Sequence, residues 1–135
     1  MPDRKLIIIG AGSLEKKLKA LAHANCQFLS NISDQDLAQY YSHAEALIMP
    51  QEEDFGYVAL EAQACGCPVI AYARGGALET IQKGVTGTFM YVQSIDAIRK
   101  AVAEFMPDTY NLDQAEAAMS EFSVEAFKIV NSYTN

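Results

Sequence analysis

The apolar positions of this chain change period several times, and each change marks an element. Residues 5–9, KLIII, are a largely β-branched run that stops at Gly10, which predicts a strand buried on both faces in a parallel sheet. Gly10-Ala11-Gly12 turns the chain and Ser13 is a good N-cap; Leu14, Leu18 and Leu21 then recur at helical spacing, with Lys16, Lys17 and Lys19 outside. Residues 26–29, 46–49, 69–72 and 88–92 read as four further short strands, the third of the five closed by Pro50. Between them, Ser33 caps a helix, with Asp36 completing a capping-box-like pair and Ile32 and Leu37 placed as a hydrophobic staple. Residues 57–65 are apolar on nearly every side, and Gly66 and Pro68 end that helix. Gly75-Gly76 opens another helix through about Gln82. Ser94 caps an amphipathic helix whose core face is Ile95, Ile98, Val102 and Phe105, and Pro107 ends it. Residues 111–122 and 123–133 read as two more helices, packing through Phe122, Ala126, Ile129 and Val130. Strands alternating with helices predict an α/β fold of βα units around a parallel sheet, with no internal repeat and no linker.

Composition narrows the partners. The 135 residues are one domain's worth, residues 1–135, with 111–135 as a helical extension packing on it, and half are apolar, enough for a core. A net charge of −7 argues against nucleic acid as the main partner. The longest apolar runs are far too short to span a bilayer, and the start does not resemble a signal peptide, so a cytoplasmic chain is expected. Cys26, Cys65 and Cys67 are an odd set without an export signal, read as reduced thiols and small buried hydrophobes. His23 and His43 lack metal-ligand spacing. Asp34-Gln35-Asp36 spells D-x-D, but in a helix's first turn its acids favour the dipole rather than a metal.

Candidate chemistry gathers in residues 53–79. Glu53 lies in the loop after a strand and Glu61 on the first turns of the helix that this loop opens, near the carboxyl end of the sheet where open α/β folds bind ligands. Gly56 lets backbone amides approach a ligand, and the helix behind presents its positive end. Such a site suits a phosphate flanked by hydroxyls, with amides holding the phosphate and carboxylates accepting from sugar or ribose. Glu61, on an otherwise apolar helix, reads equally as a ligand-binding carboxylate and as a salt-bridged or partly solvated one. Glu53 taken alone is a surface loop acid. Gly10-x-Gly12 reads equally as a phosphate turn and as a plain tight βα turn.

Glu53 and Glu61 with Phe55-Gly56 between them, then ACGCPVIA at 64–71, then Gly75-Gly76 and Glu79, resemble the C-terminal, donor-binding domain of retaining GT-B glycosyltransferases, family 4 (group 1). The likeness extends to Ile9-Gly10-Ala11-Gly12, Phe28-Leu29 and Ser33-Asp34, covers residues 5 to about 92, and includes Phe122-Ser123. It is greatest to mannosyltransferases of O-antigen and capsule assembly. The resemblance implies a Rossmann-like parallel sheet and a nucleotide-sugar donor, GDP- or UDP-linked and perhaps GDP-mannose, used to transfer a hexosyl, above all mannosyl, group with retention in polysaccharide or lipopolysaccharide synthesis. Glu53 is then the catalytic-site residue holding the donor sugar's hydroxyls, helped by the Phe55-Gly56 amides. Glu61 takes the ribose hydroxyls, Leu29, Ser30 and Ile32 edge the base, and Gly10 and Gly12 line the cleft floor. Neither metal nor other cofactor is implied, and neither glutamate is a covalent nucleophile.

Departures from the family pattern set further expectations. The family's first strand and helix, with a glycine-arginine pair and a lysine that clamp the diphosphate, have no counterpart before Lys5; that strand lies mid-sheet in the family. Ser30 stands where glycine is usual, and Arg74 is the nearby cation. The chain is therefore expected to be the donor half of an enzyme, inactive alone. It would reach a glycan or lipid-linked acceptor, and the inner face of the membrane, through an N-terminal domain. Exposed strand edges favour self-association. Two rival readings are a catalytically inactive fragment or interaction module and, more weakly, a nucleotide-sugar epimerase, which would need acid-base groups that His23 and His43 are not placed to supply.

Overall fold

A computed structural model describes residue 1 and residues 3–110, so the helices expected over 111–135 lie outside the described residues. The chain divides into two compact units, the first Met1–Ser33 and the second Asp34–Asn135.

In the first unit, β1 (Leu6–Ile9) and β2 (Cys26–Leu29) pair in parallel, from Leu6 opposite Cys26 to Ile9 opposite Leu29. Helix α1 (Glu15–Leu21) is the crossover between them. The Asn25 amide donates to the Arg4 carbonyl at 2.7 Å, tying the turn before β2 to the start of β1. Three expectations change here. β1 is not buried on both faces, since Leu6 and Ile9 are exposed and Ile7 and Ile8 half-buried. Ser13 does not cap α1: the cap position is Leu14, whose side chain makes no cap bond, after a turn in which the Glu15 amide donates to the Gly12 carbonyl. Leu14, Leu18 and Leu21 are not the inner face but exposed. The Lys19 ammonium sits 5.8 Å from the Phe28 ring centroid of β2 and 2.6 Å from Glu15, and no residue of α1 is buried.

In the second unit, β3 (Leu47–Met49), β4 (Val69–Tyr72) and β5 (Gly87–Met90) form a parallel ladder in that order. Around it lie α2 (Asp34–His43), α3 (Tyr57–Ala64), α4 (Ala77–Thr80) and α5 (Ile95–Glu104), followed by a 3-10 turn over Pro107–Thr109. Period-2 alternation along β4 divides the core. Val69 and Ala71 pack with Ala59 and Ala62 of α3 and Ala77 of α4, whereas Ile70 packs with Met90, Val102 and Phe105. β4 is therefore covered on both faces, as its unbroken apolar sequence predicts. The molecule is α/β, with parallel strands flanked by helices. The strands form two hydrogen-bonded sheets, β1-β2 and β3-β4-β5, so β1 and β3 each have one strand partner among the described residues.

Helix ends follow their capping residues. Gly66 has φ 78°; its amide donates to Gln63 and that of Cys67 to Ala62, each at 2.9 Å, the two bonds of a Schellman motif. Ser94 Oγ accepts from the Ala97 amide at 3.1 Å and caps α5. Val102 and Phe105 of the expected α5 face are buried and Ile98 packs against them, but Ile95 is 71% exposed. As the first helical residue it lies beyond the end of the sheet-covering stripe.

Candidate functional site

Two loops leave the carboxyl ends of adjacent strands, residues 50–56 after β3 and residues 73–76 after β4. Their backbones are joined. The Gly76 amide donates to the Glu53 carbonyl at 2.7 Å, and Glu53 and Gly75 form a parallel bridge. Only glycine fits this seam. Gly75 has φ 58°, and a Cβ there would strike the Glu53 carbonyl; a Cβ on Gly76 would strike the Phe55 backbone. The Thr80 hydroxyl donates back to the Gly76 carbonyl at 2.9 Å and fixes the second loop on α4. The third loop joins through Gln93, whose amide donates to the Pro50 carbonyl at 2.8 Å.

The first loop delivers its groups to the front of α3. The half-buried Glu53 accepts from the Gln51 amide at 2.9 Å. The exposed rings of Phe55 and Tyr57 meet at 4.6 Å between centroids. Gly56, buried with φ 79°, is the N-cap of α3. No side chain caps this helix and no acid lies in its first turn, so its positive end is not neutralised from within.

Glu61 is half-buried on the second turn of α3. Its pKa lies above the ordinary carboxylate range, first because burial removes water and then because Asp34 of α2 places a like charge near it. Among the described residues no lysine or arginine forms an ion pair with it. The salt-bridge alternative therefore has no cation there, and the carboxylate keeps its acceptor capacity. Burial also raises the thiol of Cys65, with Glu61 adding to it, and pushes that of Cys67 up to about 12. Cys67 is a buried, inert thiol; Cys26 and Cys65 are only partly buried.

The remaining expected site residues lie in the first unit, at the carboxyl ends of β1 and β2. The Gly10 amide donates to the Leu29 carbonyl at 2.9 Å, which brings those two together. Gly12 has open space where a Cβ would stand. Ser30 is exposed and Ile32 half-buried, on either side of Asn31, whose φ of 53° is positive without glycine. Glu53, Phe55 and Gly56 share one loop, with Glu61 on the helix it opens. Sequence reasoning missed the seam to Gly75-Gly76, the lock by Thr80 and the influence of Asp34 on Glu61. Thr80, a hydroxyl four residues after Gly76, was the legible cue; Gln51 and Asp34 gave none.

Arg74 is exposed beside the seam, its guanidinium 6.0 Å from the Tyr72 ring centroid. Asp34 and Asp36 occupy the first turn of α2, as expected. Among the described residues no three His, Cys, Asp or Glu side chains gather as a metal site. No helix there is long and apolar enough to cross a membrane.

Comparison with known proteins adds to this geometry. The family described as Glycosyl transferases group 1 matches residues 1–122. A GDP-mannose-dependent monoacylated alpha-(1-6)-phosphatidylinositol monomannoside mannosyltransferase of Corynebacterium glutamicum is 36% identical over 118 residues, covering 79% of this chain and 31% of that protein. A GDP-mannose-dependent alpha-(1-6)-phosphatidylinositol monomannoside mannosyltransferase of Mycolicibacterium smegmatis is 34% identical, covering 80% and 32%. Among solved structures, sucrose-phosphate synthase from Thermosynechococcus elongatus superposes with TM-score 0.79 at 29% identity, over 96% of this chain and 38% of that one. Anabaena HepE in complex with UDP-glucose superposes with TM-score 0.68 at 23% identity, over 99% and 40%, a likeness of fold. The chain thus spans about a third of the length of the curated relatives it matches.

Proposed function

This chain belongs to the glycosyl transferases of group 1, and on that premise we propose that it is the donor-binding part of a retaining hexosyltransferase that uses a nucleotide-sugar. The observation that carries the reading is the glycine-closed seam holding Glu53, Phe55 and Gly56 at the uncapped front of α3. A diphosphate placed there meets backbone amides and a positive helix end, which supply the stabilisation of a leaving anion that a metal supplies elsewhere. Glu53 accepts hydrogen bonds from the sugar's hydroxyls, and Glu61, in no ion pair among the described residues, accepts from the ribose. In the first unit, backbone at Leu29, Ser30 and Ile32 is assigned to the base, and Gly10 and Gly12 to close backbone approach, by resemblance alone.

The donor we favour is GDP-mannose, which the two mannosyltransferase relatives use by name. The acceptor is a lipid-linked or polysaccharide glycan brought by polypeptide beyond this chain. Retention then follows a same-face, oxocarbenium-like path in which neither glutamate forms a covalent bond.

Calorimetry and thermal shift with GDP, UDP and ADP test the reading. GDP should raise the melting temperature most, and Glu53→Gln and Glu61→Gln should each reduce the effect while the protein stays folded. A folded sample silent to all three would leave a glycosyltransferase-like module without donor binding.

A further inference from the structure

We propose that Thr80 is a positioning residue for the donor's diphosphate: its buried hydroxyl spaces the front of α3 from the Gly75-Gly76 loop and so sets where the α3 amides point. The inference rests on the donor reading above and adds to it a residue that itself touches no ligand.

Thr80 ends α4, a helix of a single turn, and is 2% exposed. Its hydroxyl faces two ways. It donates to the Gly76 carbonyl at 2.9 Å, and a Cβ on Gly56 would stand 3.0 Å from its oxygen. Gly56 is the N-cap of α3, and the Gly76 amide donates to the Glu53 carbonyl. One oxygen therefore abuts both the helix front and the seam. A threonine in a helix often bonds to the carbonyl four residues back, which alone makes no more than a local tie. Two features set this one apart. The Gly76 carbonyl already accepts from the amides of Glu79 at 3.1 Å and Thr80 at 3.0 Å, so it does not need the hydroxyl as a donor. A buried hydroxyl is also a polar group that must be satisfied, whereas valine has nearly the same outline and no such demand. What valine does not supply is the small radius of an oxygen against Gly56. A methyl group in that place pushes the N-cap away, and the amides behind it turn with it. Those amides hold the diphosphate in the donor reading, and a hydrogen bond weakens steeply as its angle closes.

Thr80→Val, Thr80→Ser and Thr80→Ala in the 135-residue chain test it, by NMR titration with GDP and with guanosine and by hydrogen exchange without ligand. Thr80→Val should weaken GDP binding about tenfold, the worth of one charge-assisted hydrogen bond, and leave guanosine within about twofold. Thr80→Ser keeps the oxygen and should restore GDP affinity. Without ligand, the Gly76 amide should exchange faster in Thr80→Val while the β4 amides keep their rates. Thr80→Ala removes the bond without added bulk; should valine prevent folding, it is expected to show the same split between GDP and guanosine. Equal loss of GDP and guanosine, wild-type binding of both by Thr80→Val, or failure of Thr80→Ser to restore GDP would each overturn the proposal. A wild-type chain silent to GDP would overturn the donor reading; an unchanged Gly76 exchange rate in Thr80→Val would overturn the role of Thr80 whichever way that falls.

Discussion

Glu61 sets two physical demands against each other. Its folded-state pKa is raised by burial and by Asp34, so the native state binds a proton more readily than the unfolded chain. Its contribution to stability therefore falls as pH rises from the ordinary glutamate range through the raised value. Glu61→Gln should flatten that slope in pH-dependent melting curves and hold or raise the melting temperature at pH 7. It should also weaken nucleoside diphosphate binding; the two effects together separate a ligand-holding carboxylate from a structural one, whose loss would lower stability. Gly76 makes the opposite case. Gly76→Ala pushes a methyl group into the Phe55 backbone, and such overpacking costs about 1–3 kcal/mol. Chemical denaturation should show that loss, and donor binding should fall with it because the Glu53 loop is displaced.

Among the elements, β4 agrees with its sequence throughout, and α5 agrees at its cap and along its apolar face except at Ile95. Ser94→Ala removes a cap bond and should cost about 1 kcal/mol in urea melts. Met49, 1% exposed at the end of β3, supports the loop that carries Glu53; Met49→Ala should cost about 2–5 kcal/mol. α1 was readable as a helix but not in its orientation. Leucine spacing gives a stripe, and in an isolated sequence a stripe is assigned to the core. In the structure those leucines are exposed and no residue of α1 is buried, and the Lys19 contact with Phe28 joins residues nine positions apart through a strand pairing that local pattern does not encode. Ile95 fails for a simpler reason: a helical period continues to the first residue, whereas the sheet beneath it does not.

Among the described residues, β4 has strands on both sides and helices on both faces, while β1 has one strand partner and exposed ends. Hydrogen exchange should accordingly be slowest at β4 amides and faster at β1. We propose self-association through the edges of β1 and β3 that have no strand partner among the described residues. Ultracentrifugation over a range of concentrations should show reversible dimers, and monomer alone at high concentration would count against it.

By itself the sequence determined the elements, their α/β alternation and the residue types of the candidate site. Strand periods, caps such as Ser94 and Gly66, and the Glu-Phe-Gly and Gly-Gly motifs act over a few neighbours and can be read locally. Tertiary structure alone decided which glycines face which backbone, which acid lies beside Glu61, and that the leucines of α1 stay exposed. Those depend on parallel pairing between strands some twenty residues apart, and the contacts that decide them exist only once that pairing has formed.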